Sequence, residues 1–298
     1  MEFENRLRNL TKDKRLNLIL HTGTPKTGTT SIQLFLNAIN FKLKESGYLY
    51  SQISLHSSPP KHQWIVSNLL SNNFESFFQN IKYVYQEAEK NQIKTIILST
   101  EGVFNHWWDY SDEAKAILNI LSKYFSMSIW IFFREPQSFL ESFYKQNLKN
   151  PQIDLVECYG KDLSFKDMLG DKWFIKHLDY LGFVYDCECI FGKDNIKVFN
   201  YSKDIIKEII RELNINIKYD DIKRENIGQS SIAVELLRVI NRYKLNIEDK
   251  AKIIKELSSC DKILGKYTGK IELIDDDSRQ DILDKFYLQS LILKNRLP

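Results

Sequence analysis

The chain has 298 residues, 43% of them hydrophobic, with only 11 Gly and 6 Pro, a composition that excludes the disordered, collagen-like and low-complexity classes. Lys+Arg 42 against Asp+Glu 39 leave a net charge of +3. That is too small for a polyanion-coating protein, so no nucleic acid polymer is expected as partner, but it is compatible with a local basic pocket.

Residues Met1 to Arg15 are polar and charged and lack the apolar stretch of a secretory signal. The first predicted strand is Leu16 to His21, ended by Thr22-Gly23. A helix is predicted from about Thr29, with Ile32, Phe35, Leu36 and Ile39 on one face. The segment from Gly47 to Lys90 shows no pattern that places it. A second strand is predicted over Lys94 to Ser99. Ser111 caps the next helix, with Asp112 and Glu113 in its first turn and Ile117, Leu118, Leu121, Tyr124 and Phe125 on its apolar face. The third and fourth strands are Ser128 to Phe133 and Ile196 to Phe199. Beyond Gln229 the chain reads as helical, with one stripe of Ile232, Leu236, Leu237 and Ile240 and another of Ile282, Leu283, Phe286 and Leu293. Ser278 and Asp281 resemble a capping box for the last helix.

Continuous apolar strands alternating with helices predict an α/β fold: a parallel central sheet flanked by helices, with a helical C-terminal part over about 229–298 packed on it. The length is near the upper limit for one hydrophobic core, and a single domain over residues 1–298 is expected. No apolar run reaches the roughly 18 residues of a membrane span. Cys158, Cys187, Cys189 and Cys260 lack a zinc spacing. These features predict a reduced, disulfide-free, cytoplasmic protein with no resident metal.

After the first strand comes His21-Thr-Gly-Thr-Pro-Lys-Thr-Gly-Thr-Thr-Ser31. A strand, a Gly-containing loop and a helix N-terminus together form an anion cradle, because backbone N–H groups converge there and the helix dipole adds positive potential. Gly23 and Gly28 keep the spacing of the Walker A form G-x-x-x-x-G-K-[ST], and Thr30 sits at its hydroxyl position. Thr29 occupies the lysine position, and the lysine is displaced into the loop as Lys26. From there it can reach the bridging oxygen of a group shorter than a triphosphate.

The string Pro25-Lys26-Thr27-Gly28-Thr29-Thr30-Ser31 resembles the 5′-phosphosulfate loop of sulfotransferases that use 3′-phosphoadenosine 5′-phosphosulfate (PAPS) and release 3′-phosphoadenosine 5′-phosphate (PAP). The third strand adds a second motif, Phe132-Phe133-Arg134-Glu135-Pro136. Arg134 and Ser142, eight residues apart, match the arginine and serine that read the 3′-phosphate in that family. A guanidinium is a forked, permanently charged phosphate ligand. The bland alternative is a surface arginine paired with Glu135. The resemblance also places Tyr201 at the end of the fourth strand, as an adenine neighbour or a packed core tyrosine. In Lys223-Arg-Glu-Asn-Ile-Gly228 it makes Arg224 and Gly228 loose counterparts of a basic loop around the 3′-phosphate. Ser31 stands where the steroid and phenol enzymes often have tryptophan, which brings the chain closer to carbohydrate-type members.

Sulfuryl transfer needs a base for the acceptor proton. Glu101, just past the second strand and so at the ligand-binding edge of an open α/β sheet, is the first candidate. His62, beside Pro59-Pro60, is the second. His106, Trp107 and Trp108 form either a sugar-stacking wall or a core cluster. The resemblance implies PAPS as donor, no metal, and a small-molecule or glycan acceptor. A P-loop kinase or NTPase is the alternative, against which the displaced lysine and the Arg134 strand end both argue.

Overall fold

The computed structural model describes residues 2–12, 14–53, 60–152, 156, 158–202, 204–217, 230–243, 245–264 and 276–294. In chain order the elements are α1 (Glu2–Thr11), β1 (Asn17–Gly23), α2 (Thr29–Ala38), α3 (Asn40–Glu45), β2 (Tyr48–Tyr50), α4 (Trp64–Leu70), α5 (Phe74–Lys90), β3 (Thr95–Ser99), α6 (Gly102–Asn105), α7 (Asp112–Tyr124), β4 (Ser126–Phe133), α8 (Pro136–Lys149), α9 (Phe165–Leu169), α10 (Lys172–Lys176), α11 (Tyr180–Phe191), β5 (Ile196–Asn200), α12 (Ile205–Leu213), α13 (Ser231–Asn241), α14 (Ile247–Leu264) and α15 (Asp276–Lys294).

The five strands form one sheet in the order β2-β3-β1-β4-β5, and every pair is parallel. The α/β architecture expected from the sequence is present. β1 lies at the centre, in register with both neighbours: Leu20 pairs with Leu98 on β3 and with Ile129 on β4. After β1 the chain moves out to β2 and returns through β3. After β3 it crosses to β4 on the other side. Such a reversal opens a crevice at the C-terminal ends of the central strands.

Both faces of the sheet are covered, which is why β1 and β4 are apolar without alternation. On one face α2 and α12 bury Ile32, Phe35, Leu36, Ile205, Ile206 and Ile209 against Ile19, Trp130, Phe132 and Phe199. On the other, the Phe133 and Tyr180 rings stack with centroids 4.3 Å apart, and Phe104 meets Phe183 edge-on at 4.9 Å. Trp107 is fully buried in this aromatic cluster, its Nε1 donating to Asp186 at 2.8 Å, so it is a core residue and not a sugar-stacking wall.

The chain's contacts divide it into two units where the sequence suggested one domain. The first holds the sheet with α1–α7, α11 and α12, and the second holds α8–α10 with α13–α15. The C-terminal helices thus group with α8 and not with the sheet elements. On α13 the buried residues are Ala233, Val234, Leu237 and Asn241, while Leu236 is exposed. The helix is rotated from the predicted stripe, because Asn241 turns inward to donate to the carbonyls of Leu148 and Lys161. α15 begins at Asp276, so Ser278 lies inside its first turn and is not its cap. None of the four cysteines is in a disulfide, and among the described residues no helix is long and apolar enough to cross a membrane.

Candidate active site

Three strand ends bring the site together. β1 leads into the Thr24–Gly28 loop, β3 into Thr100-Glu101, and β4 into Arg134. The loop is pinned to β4: Thr24 N–H donates to the Phe132 carbonyl at 2.9 Å. Gly23 permits this approach, since a Cβ there would lie 2.1 Å from that carbonyl oxygen. Inside the loop the Thr27 hydroxyl donates to the Thr24 carbonyl at 2.7 Å and lies 3.3 Å from the Thr29 hydroxyl. Gly28 takes a left-handed conformation, φ 76°, and is the N-cap of α2 without a side-chain cap. The first amides of α2, those of Thr29, Thr30 and Ser31, therefore have no intrahelical acceptor and no capping oxygen, the condition for an anion site.

Lys26 also has positive φ, 66°, in a non-glycine residue. Such an outlier costs of order 1–3 kcal/mol and clusters at functional sites. Its side chain is exposed, and its carbonyl accepts from the Arg134 guanidinium at 3.2 Å. Crowding by surrounding protein, and then the like charge of Arg134, lower the Lys26 pKa, while Glu101 acts in the opposite sense. Arg134 lies over the Tyr201 ring at 5.3 Å. Tyr201 is held by its own N–H to the Phe133 carbonyl at 2.7 Å, and a Cβ on Gly28 would come within 3.4 Å of its ring. Tyr201 is thus a partly exposed wall beside the loop, not a packed core tyrosine.

Glu101 begins the short helix α6. Lys61 Nζ donates to its Oε1 at 3.1 Å and Gln33 Nε2 to its Oε2 at 3.2 Å. Burial pushes the carboxyl up, but the Lys61 charge and these two bonds outweigh it, so the pKa lies below the usual carboxylate value. Gln33 Nε2 also reaches Ser99 Oγ at 3.2 Å, and Ser99 Oγ lies 2.7 Å from His21 Nδ1. Gln33, Ser99 and His21 are all buried.

His62 lies elsewhere than expected. It is fully buried; Nδ1 accepts from Ser99 N–H at 3.0 Å, and Nε2 donates to the Ser51 carbonyl at 3.0 Å. Burial brings its pKa down to about 4. With both nitrogens committed to backbone, the ring is a neutral clamp between β3 and the end of β2, and this geometry argues against it as the base.

Ser142 lies on α8, in the second unit, and is half-buried. Glu135 caps that helix, accepting from the N–H groups of Gln137 and Ser138 at 3.0 and 2.8 Å, so its carboxylate has a helix-capping role. Arg224 and Gly228 lie outside the described residues. The loop brings Pro25, Lys26, Thr27, Gly28, Thr29, Thr30 and Ser31 together, and Arg134, Tyr201 and Glu101 join them through the contacts and charge interactions above.

The sequence reading missed Gln33, Ser99, Lys61 and His21. Gln33 carried a signal: it is a polar residue on the apolar face of α2, between Ile32 and Leu36.

No family model and no curated protein matches the chain. Among solved structures it is similar to a sulfotransferase from Alicyclobacillus acidocaldarius, at 13% identity and a TM-score of 0.42, covering 82% of this chain and 95% of that one. It is also similar to a retinol dehydratase in complex with retinol and PAP, at 11% identity and a TM-score of 0.27, covering 86% and 69%. At those scores neither likeness bears on this chain's chemistry.

Proposed function

We propose that the chain is a PAPS-dependent sulfotransferase acting on a hydroxyl or amine of a carbohydrate or sugar-containing small molecule. The observation that carries the reading is Lys26: a lysine in the loop centre, in a left-handed backbone, tied through its carbonyl to Arg134, ahead of an uncapped helix. A phosphosulfate needs a cation at its bridging oxygen and amides at its phosphate, and these groups supply both. In this reading the acceptor oxygen attacks sulfur, and the bond from sulfur to the 5′-phosphate oxygen breaks. Its electron pair stays on that oxygen, beside Lys26, and PAP leaves. The acceptor proton passes to Glu101, whose carboxylate is ionised at neutral pH. Arg134 is assigned the 3′-phosphate.

The test is transfer of labelled sulfate from PAPS across a panel of acceptors, in chelator and with added Mg²⁺. The expected result is metal-independent transfer, with Glu101→Gln keeping nucleotide affinity and losing at least about a hundredfold in turnover. Phosphate transfer from ATP that needs Mg²⁺, with none from PAPS, would overturn the proposal.

A further inference from the structure

The Glu101 carboxylate is held from two sides, and neither holder belongs to the anion loop. We propose that Gln33 and Lys61 are positioning residues for Glu101, and that Gln33 links donor seating at the head of α2 to the orientation of that carboxylate. The inference rests on the sulfotransferase reading for what Glu101 does, though not for how it is held.

Gln33 lies four residues after Thr29, one turn along the same face of α2. Thr29 is where that helix would meet the donor, so a shift of the helix on binding moves Gln33 with it. Its amide nitrogen is shared between Glu101 Oε2 and Ser99 Oγ. Its amide oxygen is buried and has no partner among the described residues. A leucine at this position, on the apolar face of α2, would remove that unpaired oxygen, which costs stability. Packing therefore does not explain a glutamine here, whereas a directed N–H toward a carboxylate does.

Lys61 fixes the other oxygen and so sets the plane of the carboxylate. Behind Gln33 the chain of contacts continues through Ser99 to His21, whose Nε2 is likewise buried and unpartnered. The charged and titratable groups around Glu101 are Lys61 before α4, Lys26 on the loop, His21 on β1 and the Tyr50 hydroxyl on β2. The Glu101 charge acts on the last three. Among the described residues only Lys61 makes an ion pair with it.

The experiment uses the full chain with carboxyl-labelled glutamate. The Glu101 signal is titrated by NMR, with and without PAP, in wild type, Gln33→Leu, Gln33→Met, Lys61→Met and Lys61→Arg, and single-turnover sulfate transfer is measured alongside. Gln33→Leu and Gln33→Met should keep or raise the melting temperature, move the Glu101 titration upward and lower turnover roughly tenfold, with PAP still bound. PAP should shift the Glu101 signal more in wild type than in either Gln33 variant, where only the direct effect of its charge remains. Lys61→Met should move the titration further, and Lys61→Arg should restore it. An unmoved titration and undiminished turnover in both Gln33 variants would overturn the positioning role. A wild type that neither binds PAP nor transfers sulfate would overturn the sulfotransferase reading and, with it, the link to donor seating. The titration shifts would then still report how the carboxylate is held.

Discussion

Acid should destabilise this protein in a window set by two of its buried histidines, His21 and His62. His62 accepts an N–H at Nδ1 and donates from Nε2, so protonation would place a second donor against Ser99 N–H. His21 is also fully enclosed, and burial brings each imidazole from an ordinary 6.5 to about 4. Between those values the unfolded chain binds more protons than the folded one, so stability is complete above pH 6.5 and falls as the pH drops towards 4. At pH 5 the loss is about 2 kcal/mol for each histidine, and about 4 kcal/mol for the two together. Carboxylates with depressed pKa values begin to contribute only below about pH 4.5, so pH 5 to 6.5 isolates the imidazoles. The assay is urea unfolding followed by tryptophan fluorescence at half-unit pH steps. His62→Gln, which can accept from Ser99 and donate to Ser51, should lose about half of the pH dependence. An identical slope in wild type and His62→Gln would refute the reasoning.

Two further outcomes are expected at the nucleotide loop. Arg134→Ala should weaken PAP by about 1.5–3 kcal/mol and leave AMP nearly unchanged, measured by calorimetry, if its charge serves the 3′-phosphate as proposed. Lys26→Gly should raise the melting temperature, since glycine accepts φ 66° without strain, while single-turnover transfer collapses. The two effects of that change have opposite signs, which separates lost chemistry from lost fold.

The parts of the molecule legible in the sequence are those where one local pattern decides the outcome. β1, β3 and β4 are apolar runs buried on both faces, β5 carries the buried pair Val198 and Phe199, and α7 begins where Ser111 accepts from Ala114 N–H. β2 was hidden because three residues carry no period. α5 did carry one, with Phe77, Ile81, Val84 and Ala88 on a single face after the Asn73 cap, but its neighbours gave it no context. The division into two units was not legible either: α13 packs through Val234, Leu237 and the inward Asn241, so its buried face is partly polar and does not follow hydrophobicity alone. At the site the loop motif was visible because its residues are contiguous. The hold on Glu101 was not, since Gln33, Lys61 and Ser99 meet only when α2, the segment before α4 and β3 converge.

The electrostatics of the nucleotide loop favour an anion more strongly than the loop backbone alone would. Burial and then like-charge repulsion from Arg134 lower the Lys26 pKa, and Glu101, the carboxylate that opposes this among the described residues, is already paired with Lys61. Two cations are thus held close by the backbone bond from Arg134 to the Lys26 carbonyl, and the unliganded chain bears their repulsion. Under the proposed function, a donor with phosphate at both ends would relieve it and draw the Lys26 pKa back up. The same negative charge would raise the Glu101 pKa towards the range in which a base works well at neutral pH. In that reading, a carboxylate that is a weak base in the empty site would become a stronger one when the donor arrives. Such coupling would be possible because the loop, the arginine and the glutamate each follow their own strand end at one edge of the sheet.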